Sequence, residues 1–395
     1  MPPLLVAHCD LDRVRTLIGT EEGFVPLIGG GLHTVDVPES KYDQVREECA
    51  GADADRTVAV PVVGEPQVSG EPMDYHGRGG ALPTRQELSK RLGRPGAPWT
   101  GEGVLVGMVD TGVRPHPWLA GGYLSAMDDF EPAPSESSVH AEAVSSRARL
   151  QVGHGTFGAG LVLQQAPAAG VWVERALAPT GEGPVSRVVQ AARQLADRGV
   201  HVLNLSLGCW ATEFEAGEVM RQLVADLHQD HPNMVIVAAA GNLGGDGEPR
   251  KTADFWPAAC ENVLAVGAVE SPDSTRWAEW SNRGPWIDLA APAAELLSTY
   301  VVGALQPSDK RSAIRYTGWA RWSGTSFATT VVSGAIARLM TGPEPLSAGQ
   351  AVELLKNGEY GPGRTDPEGD VPSVPVVRLA TWDEQVPARC GGTVR

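Results

Sequence analysis

Short runs of residues that are apolar on both faces recur through the middle of the chain: Leu-Val-Gly-Met-Val at 105–109, Val-Trp-Val at 171–173, Val-Leu-Asn-Leu at 202–205, Val-Ile-Val-Ala at 235–238 and Val-Leu-Ala-Val-Gly-Ala at 263–268. A strand with one wet face alternates polar and apolar residues. These runs do not, which is what parallel strands buried on both sides require. They predict strands over 104–109, 171–177, 202–207, 234–240 and 263–268. Between them, stretches at 185–198 and 213–228 carry the helical period. Strand–helix alternation at this spacing implies an α/β fold in three layers, a mostly parallel central sheet covered by helices on both faces.

Ahead of this region the pattern differs. Residues 1–62 read as a small α+β unit: strand 4–7, helix 11–18, strand 33–37, helix 41–49 opened by Ser40 with Asp43 three residues on, and strand 57–62. Residues 63–98 are rich in Gly and Pro, including Gly79-Gly80 and Arg94-Pro95-Gly96, and read as a linker. The main domain is expected over 99–360, with a C-terminal extension over 361–395.

Composition narrows the function. With 48 acidic against 32 basic residues the net charge is −16. No basic stripe exists to release counterions from a phosphate backbone, so nucleic acid is excluded as a partner. The cysteines (Cys9, Cys49, Cys209, Cys260 and Cys390) are odd in number and include no C-x-x-C. They read as reduced thiols, with a Cys209–Cys260 bridge left open. The start, Met-Pro-Pro-Leu-Leu-Val-Ala-His, has no basic region and its apolar run stops at His8. No run approaches the ~20 apolar residues of a membrane span. The expectations are a cytoplasmic location and no membrane partner.

Three short motifs carry the chemistry. Asp110-Thr111-Gly112 ends the first buried strand, Gly153-His154-Gly155-Thr156 opens a helix of small residues, and Gly324-Thr325-Ser326 turns a loop into another such helix. A serine nucleophile needs a base to take its proton, and the base needs an acid to hold its tautomer. D-T-G alone is also the aspartic-protease signature, but that needs a β-rich fold and a second copy, and none is present. Gly101-Glu-Gly103 precedes a strand where a dinucleotide fingerprint must follow one. His140-Ala-Glu142 lacks the C-x-x-C of a deaminase zinc site, and no H-E-x-x-H occurs. No metal or cofactor is expected. On the final helix Phe327, Val331, Ala335 and Leu339 form an i+4 row, marking a buried face.

The order Asp…His…Ser is that of subtilisin, and from about residue 100 to 355 the chain resembles the subtilisin-like serine proteases. The resemblance implies a serine endopeptidase with Asp110, His154 and Ser326 as its triad and Asn242 of Ala-Ala-Ala-Gly-Asn as the oxyanion donor. It implies that Ser206-Leu207-Gly208 and the edge containing Gly181 and Gly183 bind an extended peptide as an added strand. It also implies that residues 1–62 are similar to a prodomain packing in cis on the main domain. Trp256-Pro257-Ala258 resembles a turn flanking the specificity pocket, where a cis peptide fits. The family's proline after the serine is replaced by Thr330, an expected small loss of local rigidity. The chain runs from the His154 helix into the strand at 171 with no room for a calcium loop, and Asp128-Asp129 read as solvated. Extra residues between Ser298 and Trp319 read as a loop. Asp246, Glu248 and Asp254, offset by Arg250 and Lys251, give only a slight expectation of basic residues before the scissile bond. The substrate is expected to be one or few peptides or proteins, including a leader peptide. The alternative is an inactive scaffold of the same fold.

Overall fold

In the computed structural model, the described residues are 4–7, 11–19, 24–26, 32–35, 37–42, 44–45, 49, 53–54, 57–61, 63–69, 100–114, 116, 118–119, 150–210, 214–242, 254–305, 313–341, 345–366 and 373–379. The N-terminal part holds β1 (Leu4–Ala7), α1 (Leu11–Ile18), β2 (Phe24–Pro26), β3 (Leu32–Val35) and β4 (Asp53–Ala54). They make an antiparallel sheet in the order β2-β3-β1-β4. Leu11 and Val14 of α1 pack with Val6, Val35, Tyr42 and Val45 in a small core. Of the helix expected at 41–49, Tyr42, Gln44 and Val45 are helical, and the Cys49 N–H donates to the Val45 carbonyl. The strand β2 had no signal in the apolar pattern.

Next come β5 (Thr57–Ala59) and β6 (Val63–Ser69). Neither joins the small sheet. β6 falls where glycine and proline predicted a linker, yet it is a seven-residue strand at the edge of a second sheet. An edge tolerates Pro66, whose missing N–H costs no ladder bond there. The rest of the expected linker, 70–98, lies almost wholly outside the described residues.

The main domain follows as β7 (Leu105–Asp110), α2 (His154–Gln165), β8 (Gly170–Arg175), β9 (Glu182–Pro184), α3 (Val185–Asp197), β10 (Val202–Leu205), β11 (Cys209–Trp210), α4 (Phe214–Asp230), β12 (Val235–Ala239), β13 (Phe255–Trp256), β14 (Val263–Val269), β15 (Leu289–Pro292), β16 (Leu296–Leu305), β17 (Ile314–Ser323), α5 (Thr325–Leu339), α6 (Ala348–Lys356), β18 (Gly363–Arg364) and β19 (Pro375–Val376). The central sheet runs β18-β19-β15-β14-β12-β10-β7-β8, parallel throughout except at β18–β19. Alternate residues serve opposite faces: Val106, Met108, Val202, Val237 and Val266 pack with α2 and α5, while Val109, Leu203, Leu205, Ile236 and Ala265 pack with α3 and α4. This is the three-layer α/β fold expected.

Two expectations change here. Helix α5 is buried from Thr325 to Ala337 on every side, not along one row. Its back-bonding hydroxyls, Thr329 to Thr325 O and Ser333 to Thr329 O, satisfy the polar groups this burial encloses. The extra residues before Trp319 are the arms of a long hairpin, β16 with β17, continued by β6. The sheet also includes β18 and β19, which fall within residues 361–395.

Candidate active site

Asp110 ends β7, whose neighbours β8 and β10 lie on opposite sides, so the chain leaves this strand in one direction and returns in the other. Such reversal points, at the carboxyl ends of parallel strands, are where open α/β sheets place their sites. Asp110 is fully buried. Its Oδ1 accepts from the Thr111 N–H at 2.6 Å, and both carboxylate oxygens lie 2.9 Å from His154 Nδ1. That pairing sets Nδ1 toward the carboxylate and turns Nε2 away from it. His154 stands at the first position of α2, walled by Phe327 and Trp322 at ring distances of 5.2 and 5.7 Å. The helix starts this close to β7 because residue 155 is glycine. A Cβ there would collide with the Gly112 carbonyl and lie 3.0 Å from Asp110 Oδ1.

Ser326 lies in the first turn of α5. The N-cap, Gly324, has φ 155° and ψ 151°, a backbone region that essentially only glycine occupies. Its side chain brings no oxygen to the first-turn N–H groups, so the positive end of the helix is left open to an oxyanion. Asn242 follows β12 and is locked by its Oδ1, which accepts from the Thr325 N–H at 2.9 Å. Its buried Nδ2 has no hydrogen-bond partner, the state expected of a donor waiting for a developing charge. Thr330, in place of the family's proline, is buried and donates back to the Phe327 carbonyl at 2.8 Å.

The substrate-binding residues named from sequence come together around a segment of this same chain. β5 pairs antiparallel with β9, Val58 opposite Gly183 and Ala59 opposite Glu182. On its other side Ala59 exchanges both backbone hydrogen bonds with Gly208 at 3.0 Å, and the Val60 N–H donates to the Gly181 carbonyl at 3.0 Å. Residues 57–60 thus form the middle strand between two rails. Val58 is fully buried in the cluster that includes Val185 and Leu207. Pro61 comes next, and its carbonyl oxygen lies 3.0 Å from Ser326 Oγ. Beyond the site the chain continues as β6 against β17.

One contact departs from the expected relay. Ser326 Oγ is 3.0 Å from the Ser206 carbonyl as well as from that of Pro61, while the buried His154 Nε2 makes no hydrogen bond. With two backbone carbonyls in reach, the hydroxyl has acceptors other than the imidazole, and Pro61 brings no N–H of its own to this junction.

The remaining expectations resolve simply. Trp256-Pro257 is cis. Cys209 and Cys260 are not bridged to each other. Residues 243–253 lie outside the described residues, as do Asp128, Asp129 and His140, and Asp254 is exposed. Among the described residues no group of three acidic, His or Cys side chains is placed to hold a metal ion, and no helix is long and apolar enough to cross a membrane. Sequence reasoning missed the placement of Pro61 against Ser326, because it carries no motif.

Comparison with known proteins gives the family. The chain belongs to the subtilase family, whose model matches residues 101–364. It is 32% identical over 265 residues to a thermophilic serine proteinase of Bacillus sp. (strain AK1), covering 66% of this chain and 58% of that one. It is 26% identical over 323 residues to serine protease AprX of Bacillus subtilis (strain 168), covering 73% and 71%. Among solved structures, fervidolysin from Fervidobacterium pennivorans, a keratinolytic enzyme related to subtilisin, matches 98% of this chain and 60% of its own with a TM-score of 0.62 at 20% identity. The chain therefore spans less than two thirds of the length of the first of these relatives and of that structure. The matches are mostly to secreted, extracellular subtilisins, which overturns the expectation of a cytoplasmic location. That expectation rested on where the chain begins, which is no evidence of compartment.

Proposed function

We propose that this chain is a subtilase that hydrolyses peptide bonds with Ser326 as nucleophile, His154 as general base and then acid, Asp110 as its orienting partner, and Asn242 with the Ser326 N–H as oxyanion donors. The observation that carries this reading is the seating of residues 57–61. An extended segment lies between the rails formed by Gly181–Gly183 and Ser206–Gly208, and it delivers a carbonyl to Ser326 Oγ. That is the pose an extended peptide substrate must take when it adds as a strand to an enzyme. A substrate peptide with an N–H at the position of Pro61 engages the Ser206 carbonyl. The Ser326 hydroxyl is then released toward His154 Nε2. Attack gives a tetrahedral intermediate whose oxyanion meets the Asn242 Nδ2 and the open start of α5. Collapse leaves an acyl-enzyme, the leaving amine takes the proton from His154, and water completes the turnover.

The same seating makes the N-terminal unit an inhibitor in cis, with 57–61 as its strap and peptides or proteins as the substrates it competes with. A restricted set of substrates fits a cleft that opens only when the strap is displaced.

The test is labelling of the full chain with a fluorophosphonate, alongside a Val58→Ala chain with a loosened strap. Label mapped to Ser326, faster in the variant and absent in Ser326→Ala, is the expected result. If neither folded chain labels while subtilisin in the same tube does, the catalytic reading fails and an inactive scaffold takes its place.

A further inference from the structure

The seating of the strap also shows where the side chain preceding the scissile bond must go, and what already stands there. Residue 61 has its carbonyl at Ser326, and the Ser206–Gly208 rail and the Ala240–Asn242 turn are both held by hydrogen bonds to the start of α5 beside it. Both walls carry a glycine at the critical point. A Cβ on Gly208 would overlap the Phe255 ring edge, with Cζ at 2.7 Å and the Trp256 carbonyl oxygen at 2.6 Å. A Cβ on Gly241 would lie 3.1 Å from Phe255 Cγ and 3.2 Å from Cδ2. One aromatic ring therefore reaches from one wall to the other. Its backbone is fixed in β13, where Phe255 pairs with Trp210 just beyond the Gly208 rail, and the residue is 5% exposed.

We propose that Phe255 is the specificity-determining residue of this site: its ring fills the pocket and admits only small side chains, such as those of Ala, Gly, Ser and Pro, before the scissile bond. The glycines at 208 and 241 make room for this ring, not for a substrate side chain. Pro61, compact and buried, is of the kind such a shallow pocket accepts. Apolar pockets discriminate by volume: each methylene excluded or admitted is worth ~10–200-fold in kcat/KM. A full aromatic or long aliphatic side chain meets a closed floor. The selection proposed is by size; Asp246 and Glu248, on which the slight expectation of a basic preference rests, lie outside the described residues.

This inference rests on the catalytic reading above, and the experiment separates the two. The full chain and its Phe255→Gly and Phe255→Ala forms are assayed on tetrapeptide p-nitroanilides that differ only in the last residue: Ala, Leu, Phe or Lys. The wild type is expected to favour Ala over Phe by at least ~10-fold. The Gly form is expected to raise the Phe-to-Ala and Leu-to-Ala ratios of kcat/KM by at least ~10-fold. The Ala form covers the case in which the Gly form does not fold, and the wild-type profile stands without either. Hydrolysis abolished by Ser326→Ala, with the wild type preferring Phe or Leu, overturns the role of Phe255 and leaves the catalytic reading intact. No Ser326-dependent hydrolysis of any member overturns both.

Discussion

Replacing Val58 by alanine tests the strap most directly, because Val58 is the strap residue that is fully buried in the main domain's own apolar cluster. The change removes about two methylene equivalents of buried surface, roughly 0.8 kcal/mol each, or about 1.6 kcal/mol. The side chain belongs to the strap and enters that cluster only while the strap is seated, so the loss falls on the equilibrium between strap seated and strap displaced. At 1.36 kcal/mol per tenfold, the displaced fraction rises about 15-fold. While that fraction is small, the apparent rate on an added peptide scales with it in full. The assay is kcat/KM on an alanyl p-nitroanilide at substrate well below KM. A thermal melt establishes that the fold is unchanged, and intact mass establishes that the chain is uncut. A rise of about tenfold or more supports the strap. A rate within twofold of wild type, with an unchanged melt, refutes the claim that residues 57–61 hold the cleft shut.

Pro61→Ala supplies the missing N–H, frees the Ser326 hydroxyl from the Ser206 carbonyl, and should turn the strap into a substrate cut after residue 61; intact mass over time should show faster scission than in wild type, and equal rates would refute the role of proline. Asn242→Ala should lower kcat with little change in KM, by the ~10²–10³ known for the corresponding asparagine of subtilisin, a magnitude taken from that enzyme rather than worked from this site. Full activity in that variant would remove Asn242 from the oxyanion site. Buried His116 accepts the Trp118 N–H at Nδ1 and meets the Gly318 carbonyl at Nε2, and burial pushes its pKa down from 6.5 to about 4. The unfolded chain binds this proton more tightly, so the stability it guards is complete above pH 6.5 and is lost as pH falls toward 4, on the order of 3 kcal/mol. The melting temperature of His116→Gln should fall less steeply across that window; an identical slope would refute the assignment.

The core of the fold was legible because its rules are local. Buried parallel strands announce themselves by apolar runs, and the runs at 202–205 and 263–268 carry no ambiguity. The residues proposed for the chemistry could be picked out because Asp110, His154 and Ser326 each sit where a strand ends or a helix begins. What stayed hidden depends on pairing between distant residues. Val63–Ser69 is a strand only because β17 offers it an edge some 250 residues later. The long hairpin of β16 and β17 has the composition of a polar loop at its tip, and its register is set by packing on α2. Phe255 has no motif, and its role follows from two glycines 14 and 47 residues away in sequence that its ring happens to bridge. The Ser326 hydroxyl meets the carbonyl of a residue 265 positions upstream, a contact that no local pattern announces.

The strap has a second duty once its neighbours are considered as sheet edges. β9 has β5 as its strand partner, and β17 has β6 on the side away from β16. Lifting both segments exposes two rows of unpaired backbone N–H and C=O groups, at opposite ends of one cleft. Such edges template the pairing of any extended chain, another copy of the protein included. The property that lets the cleft grip substrate is therefore a hazard for colloidal stability. A chain that covers both edges with its own sequence can be stored at high concentration, whereas one stripped of residues 57–69 should self-associate whenever substrate is scarce.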